Sequence, residues 1–133
     1  IIGTYSGACN LGVFNAAKDA GEGTYCLGAA NGQFDKMPDK ILASVVKPAD
    51  QAILSILKEY QETGVFDTSV PMSLGLKEGG VKLLFTNNEE LLKLIPDDVK
   101  SAIDDLTAKV ESGEIKVPSN EEEFNSFTYQ YAK

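Results

Sequence analysis

The chain has 133 residues, 43% hydrophobic and 24% charged, a balance that fits one globular unit burying about two thirds of its unfolded surface. Its net charge of −8 excludes a nucleic-acid binder built on lysines and arginines, and no apolar run approaches the roughly 20 residues of a membrane helix. Histidine and tryptophan are absent, which removes the commonest general base and metal ligand together with Ser-His and Cys-His catalysis.

Ile1–Tyr5 is a short β-type run. It begins on uncharged Ile1-Ile2, has no initiator Met and is too short for a signal peptide, so we expect the second half of a strand and an incomplete fold. The small, polar stretch Ser6-Gly7-Ala8-Cys9-Asn10 follows, with Asn10 expected to N-cap a helix from Leu11. Leu11, Phe14, Ala17 and Ala20 share one face of that helix, and Gly21 stops it. Thr24–Ala29 reads as a strand ending in the loop Ala30-Asn31-Gly32-Gln33, so residues 1–33 form a βαβ unit whose strand ends open on one edge.

Ile41–Val46 is another strand, and Pro48 suits the first turn of a helix running to Glu62. Ile53, Ile56, Leu57 and Tyr60 recur at helical spacing, which predicts a core-facing stripe; Gly64 ends the helix. Val70–Leu76 alternates apolar and small residues and reads as a strand at an edge because of Pro71. The turn Glu78-Gly79-Gly80 leads into a strand at Val81–Phe85. Pro96 opens a helix from Asp97 to Ser112 with Val99, Ile103, Leu106 and Val110 inward and Gly113 as its cap. Residues 114–118 are an extended tail, and Ser119 with Glu122 makes a capping box for a last short helix.

Ligands of open α/β sheets bind beyond the carboxyl ends of the strands, often at helix N-termini. The loops Ser6–Asn10 and Ala30–Gln33 meet that description, although a tight turn without a ligand explains the first equally well. Lys47 ends the apolar run Ile41–Val46 and places a cation at a strand terminus; an exposed lysine is the plain alternative. Gly7, Gly12 and Gly21 do not make the dinucleotide fingerprint, and the acidic residues of 87–90, 97–105 and 121–123 read as solvated surface. Cys9 and Cys26 lie 17 positions apart without CxxC spacing, so no zinc site is expected. No catalytic group, metal or cofactor is expected.

GACNLGVFNAAK at residues 7–18 resembles the loop-helix signature of the basic membrane lipoprotein family, which includes purine-nucleoside receptors of ABC transporters. YCLGAANGQ at 25–33, ILASVVKPAD at 41–50, LGLKEGGV at 74–81 and the stretch from Ile95-Pro96 to Pro118 continue the resemblance in order. It implies an α/β fold, part of a type I periplasmic-binding-protein fold with two lobes closing over a solute, a lipid-anchored extracytoplasmic parent and an ABC permease as partner. It further implies that residues 1–46 belong mostly to the second lobe, that 47–68 cross to the first, and that 69–133 return. Ser6, Gly7, Asn10, Asn31 and Lys47 become the expected solute-binding residues, with Lys47 matching a lysine that contacts the sugar of nucleosides. The sequence departs from the family pattern at Ala30, where an aspartate holds ribose hydroxyls, and at Ala8 and Asn10, where glycines are usual. A ligand-sensing domain of a regulatory protein is the alternative that the same fold permits. Exposed sheet edges in an incomplete fold further predict a dimer or pairing with the missing part.

Overall fold

The computed structural model describes residues 1–3, 5–66, 69 and 72–128. A four-stranded sheet runs in the order β1 (Ile2–Gly3), β2 (Cys26–Ala30), β3 (Ile41–Val46) and β4 (Lys82–Phe85). β1, β2 and β3 are mutually parallel, with Ile2 beside Cys26 and Ala30 beside Val46. The expected parallel sheet is therefore three strands wide; β4 joins antiparallel, with Val46 opposite Lys82 and Ala43 opposite Phe85. That register has a consequence for the chain path. The segment 47–81 leaves the sheet at the carboxyl end of β3 and re-enters at the same edge.

The helix α1 (Asn10–Asp19) connects β1 to β2 and is stopped by Gly21 at φ 80°. Its buried face is Asn10, Phe14 and Ala17, a three-to-four spacing; Leu11 and Ala20, expected on that face, are exposed. Phe14 and Ala17 pack with Cys26 and Ile41, and Phe34 and Met37 from the β2–β3 connection close over them. Ile41 and Leu42 are neighbours on one strand and so point to opposite faces. Leu42 packs with Leu91 and Ile95, the latter two brought in by α3 (Glu89–Leu92), a short helix the sequence reading had not anticipated. Asn88 caps α3 by accepting from the backbone N–H groups of Glu90 and Leu91. β3 thus has core on both sides, which is why a nearly continuous apolar run encodes it.

Three further expectations fail in instructive ways. The helix α2 (Ala49–Thr63), ended by Gly64 at φ 68°, carries its apolar stripe outward: Ile53, Leu57 and Tyr60 are 58%, 57% and 51% exposed. Ile56 of the expected stripe is half-buried, and the rest of it is left uncovered among the described residues. The strand expected over 70–76 does not form: 72–75 are irregular and Leu76 begins a turn, while Val70 and Pro71 lie outside the described residues. In α4 (Asp97–Ser112), Ile103, Leu106 and Val110 are half-buried, but Val99 in the first turn is exposed.

The cap of α5 (Glu121–Ser126) is shifted one residue from the expected Ser119–Glu122 box. Asn120 accepts from the Glu123 N–H, and the Glu123 carboxylate reaches back to the Ser119 N–H at 2.8 Å and hydroxyl at 2.9 Å. The Ser119 N–H and hydroxyl, then the Lys116 ammonium, hold the Glu123 carboxyl down from 4.5 to about 2. A depressed carboxyl stabilises above its unfolded value and loses that contribution as pH falls through its folded one. An NMR titration should therefore place the Glu123 midpoint near 2, with α5 amide signals collapsing below it and no such step in Glu123→Gln. A midpoint near 4.5 contradicts the cap.

Candidate functional site

The carboxyl ends of the three parallel strands converge on one edge, and backbone and side-chain hydrogen bonds tie their loops together. After β1, residues 7–9 make a single 3-10 turn, with Gly7 at φ 62°. Only glycine takes that left-handed conformation without cost, and the space where its Cβ would stand is open. Asn10 is the fully buried element of this loop. It is not the N-cap expected from the sequence, since its backbone is helical (φ −55°, ψ −31°) and Cys9 occupies the capping position. Its side chain faces inward instead. Oδ1 accepts from the Ser6 N–H at 3.3 Å and the Ser6 hydroxyl at 3.1 Å, and Nδ2 donates to Gln33 Oε1 at 3.0 Å.

Gln33 Oε1 also accepts from the Ala29 N–H at 3.0 Å, so the loops after β1 and β2 are joined through two side-chain amides. The loop after β2 is tightly wound, with Ala30 at φ 61°, Gly32 at φ 103° and Gln33 at φ 59°. Two of these are non-glycine residues in the left-handed region, where such strain persists only if the surroundings over-determine it. The end of β3 joins the group through its backbone, the Lys47 N–H donating to the Ala30 carbonyl at 2.8 Å.

Of the sequence-derived candidates, Ser6 and Asn10 are in direct contact, and Lys47 lies one backbone hydrogen bond from the loop that bears Asn31. Ser6, Gly7, Asn31 and Lys47 are all exposed. They do not line the cleft of about 620 Å³ formed by Gly75–Glu78 and Val110–Val117, nor an apolar crevice of about 320 Å³ between α4 and β4. Cys9 is exposed within the first loop, and Cys26 is buried, where desolvation pushes its thiol up. Among the described residues, no group of three or more Cys, Asp or Glu is placed to hold a metal ion.

Sequence reading passed over three residues that shape the edge. Gln33 was only the end of a loop. Gly28, within the strand read over Thr24–Ala29, has no room for a side chain, since a Cβ there would stand 2.5 Å from Ser44 Oγ and 2.6 Å from the Gly32 carbonyl oxygen. Ser44 is fully buried on β3, and its hydroxyl has no hydrogen-bond partner among the described residues. A single hydroxyl inside the apolar run ILASVV was the available signal for Ser44; for Gln33 the sequence offered none.

Residues 1–121 match the family described as Bmp, ABC transporter substrate-binding protein PnrA-like. Basic membrane protein D of Borreliella burgdorferi strain JD1 is 33% identical over 130 residues, 98% of this chain and 37% of that protein. Basic membrane protein A of Borreliella afzelii is 30% identical over 131 residues, 98% of this chain and 39% of that protein. The chain therefore spans well under half the length of these relatives. Among solved structures, a solute-binding protein of an ABC transporter system from Aeropyrum pernix K1 superposes with a TM-score of 0.68 at 26% identity. It covers 94% of this chain, which in turn covers 42% of it, as part of a larger solute-binding fold.

Proposed function

The chain belongs to the family of PnrA-like ABC transporter substrate-binding proteins, and on that premise we propose that its sheet edge is one wall of a cleft that binds a small polar solute for an ABC permease. The observation that carries this reading is the joining of all three parallel strand ends into one hydrogen-bonded edge, through Asn10 to Gln33 and Lys47 to Ala30. Such an edge is where open α/β sheets bind ligands. Its exposed Ser6, Gly7, Asn31 and Lys47 supply a hydroxyl, a bare backbone, an amide and an ammonium, a set suited to hydroxyl-bearing solutes. Binding and release, without turnover, is the activity this set supports.

The other wall belongs to the first lobe in this reading. Segment 47–81 leaves and re-enters the sheet at the cleft edge, and α2 within it bears an uncovered apolar stripe. Both features suit an excursion that packs on a neighbouring lobe, with residues 1–46 staying on the second. Pairing with that lobe would cover the stripe without a second copy. The full-length protein is then an extracytoplasmic, lipid-anchored receptor.

The solute class turns on position 30. With Ala30 there is no carboxylate to accept from a pair of ribose hydroxyls, and charge-assisted bonds of that kind contribute about 1.5–3 kcal/mol each. Aspartate also tolerates the left-handed conformation (φ 61°) better than alanine. Ala30→Asp in the full-length protein should accordingly leave the melting temperature unchanged or raised, and strengthen inosine binding by about tenfold or more. Thermal-shift and calorimetric titrations with inosine, ribose and amino acids check this, with Lys47→Gln expected to abolish the shift caused by whichever solute binds. A solute that binds Lys47→Gln as well as wild type would remove this edge from the cleft.

A further inference from the structure

We infer that Gln33 is a positioning residue for the cleft, its side-chain oxygen clamping the loop after β1 to the loop after β2 so that both meet the solute as one rigid surface. The inference rests on the solute-site reading of this edge. It stands on the polarity of a hydrogen-bonded chain whose two ends are backbone donors. An Ala29 N–H can only donate, so the Gln33 atom 3.0 Å away must be the carbonyl oxygen Oε1. At the other end the Ser6 N–H can also only donate, so the Asn10 atom 3.3 Å away must be Oδ1. Asn10 is then left presenting Nδ2 to Gln33 Oε1, which is the contact observed at 3.0 Å. Neither amide can turn over without setting donor against donor or acceptor against acceptor.

The backbone of Gln33 argues the same way. At φ 59° the residue sits where glycine or asparagine is the cheaper choice, and glutamine brings no local backbone advantage. What it brings is one more methylene than asparagine, and with it the reach to bridge Ala29 and Asn10 together. Because Asn10 is fully buried and opens α1, the clamp transmits the setting of the second loop to Ser6 and Gly7 in the first.

Two substitutions in the full-length protein test the clamp. Gln33→Met keeps the length and removes the acceptor; Gln33→Glu keeps an acceptor oxygen and adds charge to it. Hydrogen exchange resolved at the Ala29 and Ser6 amides should accelerate about tenfold in Gln33→Met and stay near wild type in Gln33→Glu. The dissociation constant for inosine should rise about tenfold in Gln33→Met and be restored in Gln33→Glu, a rescue that loop packing alone does not predict. Unchanged exchange in Gln33→Met, or a Gln33→Glu variant as impaired as Gln33→Met, overturns the inference. A wild-type protein that does not bind inosine counts against the nucleoside class, and exchange at Ala29 and Ser6 then decides the clamp by itself.

Discussion

Replacing Asn10 by aspartate, an exchange of NH₂ for oxygen, is expected to destabilise the full-length protein by about 3 kcal/mol at neutral pH. The shape is nearly unchanged, so the loss comes from polarity alone. Asn10 is fully buried, and its Nδ2 donates to Gln33 Oε1, which the Ala29 N–H holds in place as an acceptor. A carboxylate there sets oxygen against oxygen and carries a charge away from water. Burial and the facing acceptor both favour the protonated acid, so its folded pKa rises above the ordinary value of about 3.9. The sign follows: the variant is least impaired below that value and loses stability as pH rises towards its folded pKa, with no further loss above it. Denaturant unfolding from pH 4 to 8 measures this, and a flat difference from wild type across that range would contradict the assigned amide orientation.

Gly28→Ala should be comparably damaging, at about 3 kcal/mol, for a steric reason. The added methyl would stand 2.5 Å from Ser44 Oγ and 2.6 Å from the Gly32 carbonyl oxygen, distances that real Cβ atoms do not show. Neither obstacle yields easily: Ser44 is fully buried on a strand paired on both sides, and Gly32 is backbone at the turn of the second loop. Ser44→Ala alone should be neutral or stabilising by about 1 kcal/mol, because the hydroxyl it removes is buried without a partner. Combined with Gly28→Ala it should recover part of the loss, because one of the two clashes disappears while the Gly32 clash stays. Chemical denaturation of the four proteins forms a double-mutant cycle, and strict additivity would show that the two residues do not touch.

On the proposed solute-site reading, an inosine titration of Gly28→Ala tests the edge as well. Gly28 lets the Gly32 carbonyl lie against β2, and that contact sets the tight turn holding Ala30 and Gln33 in left-handed conformations. A methyl at position 28 pushes the turn outward, so affinity should fall together with stability, whereas Ser44→Ala should leave affinity intact.

Much of the fold was legible because its signals are local. The strand Ile41–Val46 and the helix Asp97–Ser112 appear where composition, Pro96 and Gly113 put them, and the α2 and α4 terminators Gly64 and Gly113 are both left-handed caps. The βαβ unit was legible too, since period and spacing alone require a parallel crossover. Errors fall where a partner outside the local pattern decides, or where adjacent residues satisfy the same local rule. Asn10 is a sound N-cap by type, but a bond to Gln33, 23 residues away, pulls it into the core. Ser119 and Glu122 satisfied a capping rule, and the adjacent Asn120 and Glu123 satisfied it better.

By itself, the sequence determined the strands β2 and β3, the helices α1, α2 and α4 and the glycines that stop them, and that the first two strands open on one edge. Those properties depend on residues a few positions apart, whose propensities and periods add up without reference to the rest of the chain. The tertiary structure alone decided the antiparallel entry of β4, the outward turn of the α2 stripe and the bridging of two loops through Asn10 and Gln33. Each of these depends on groups distant in sequence. An apolar stripe specifies that a face must be covered, and a side-chain amide that it must be bonded, while only the folded chain selects the partner.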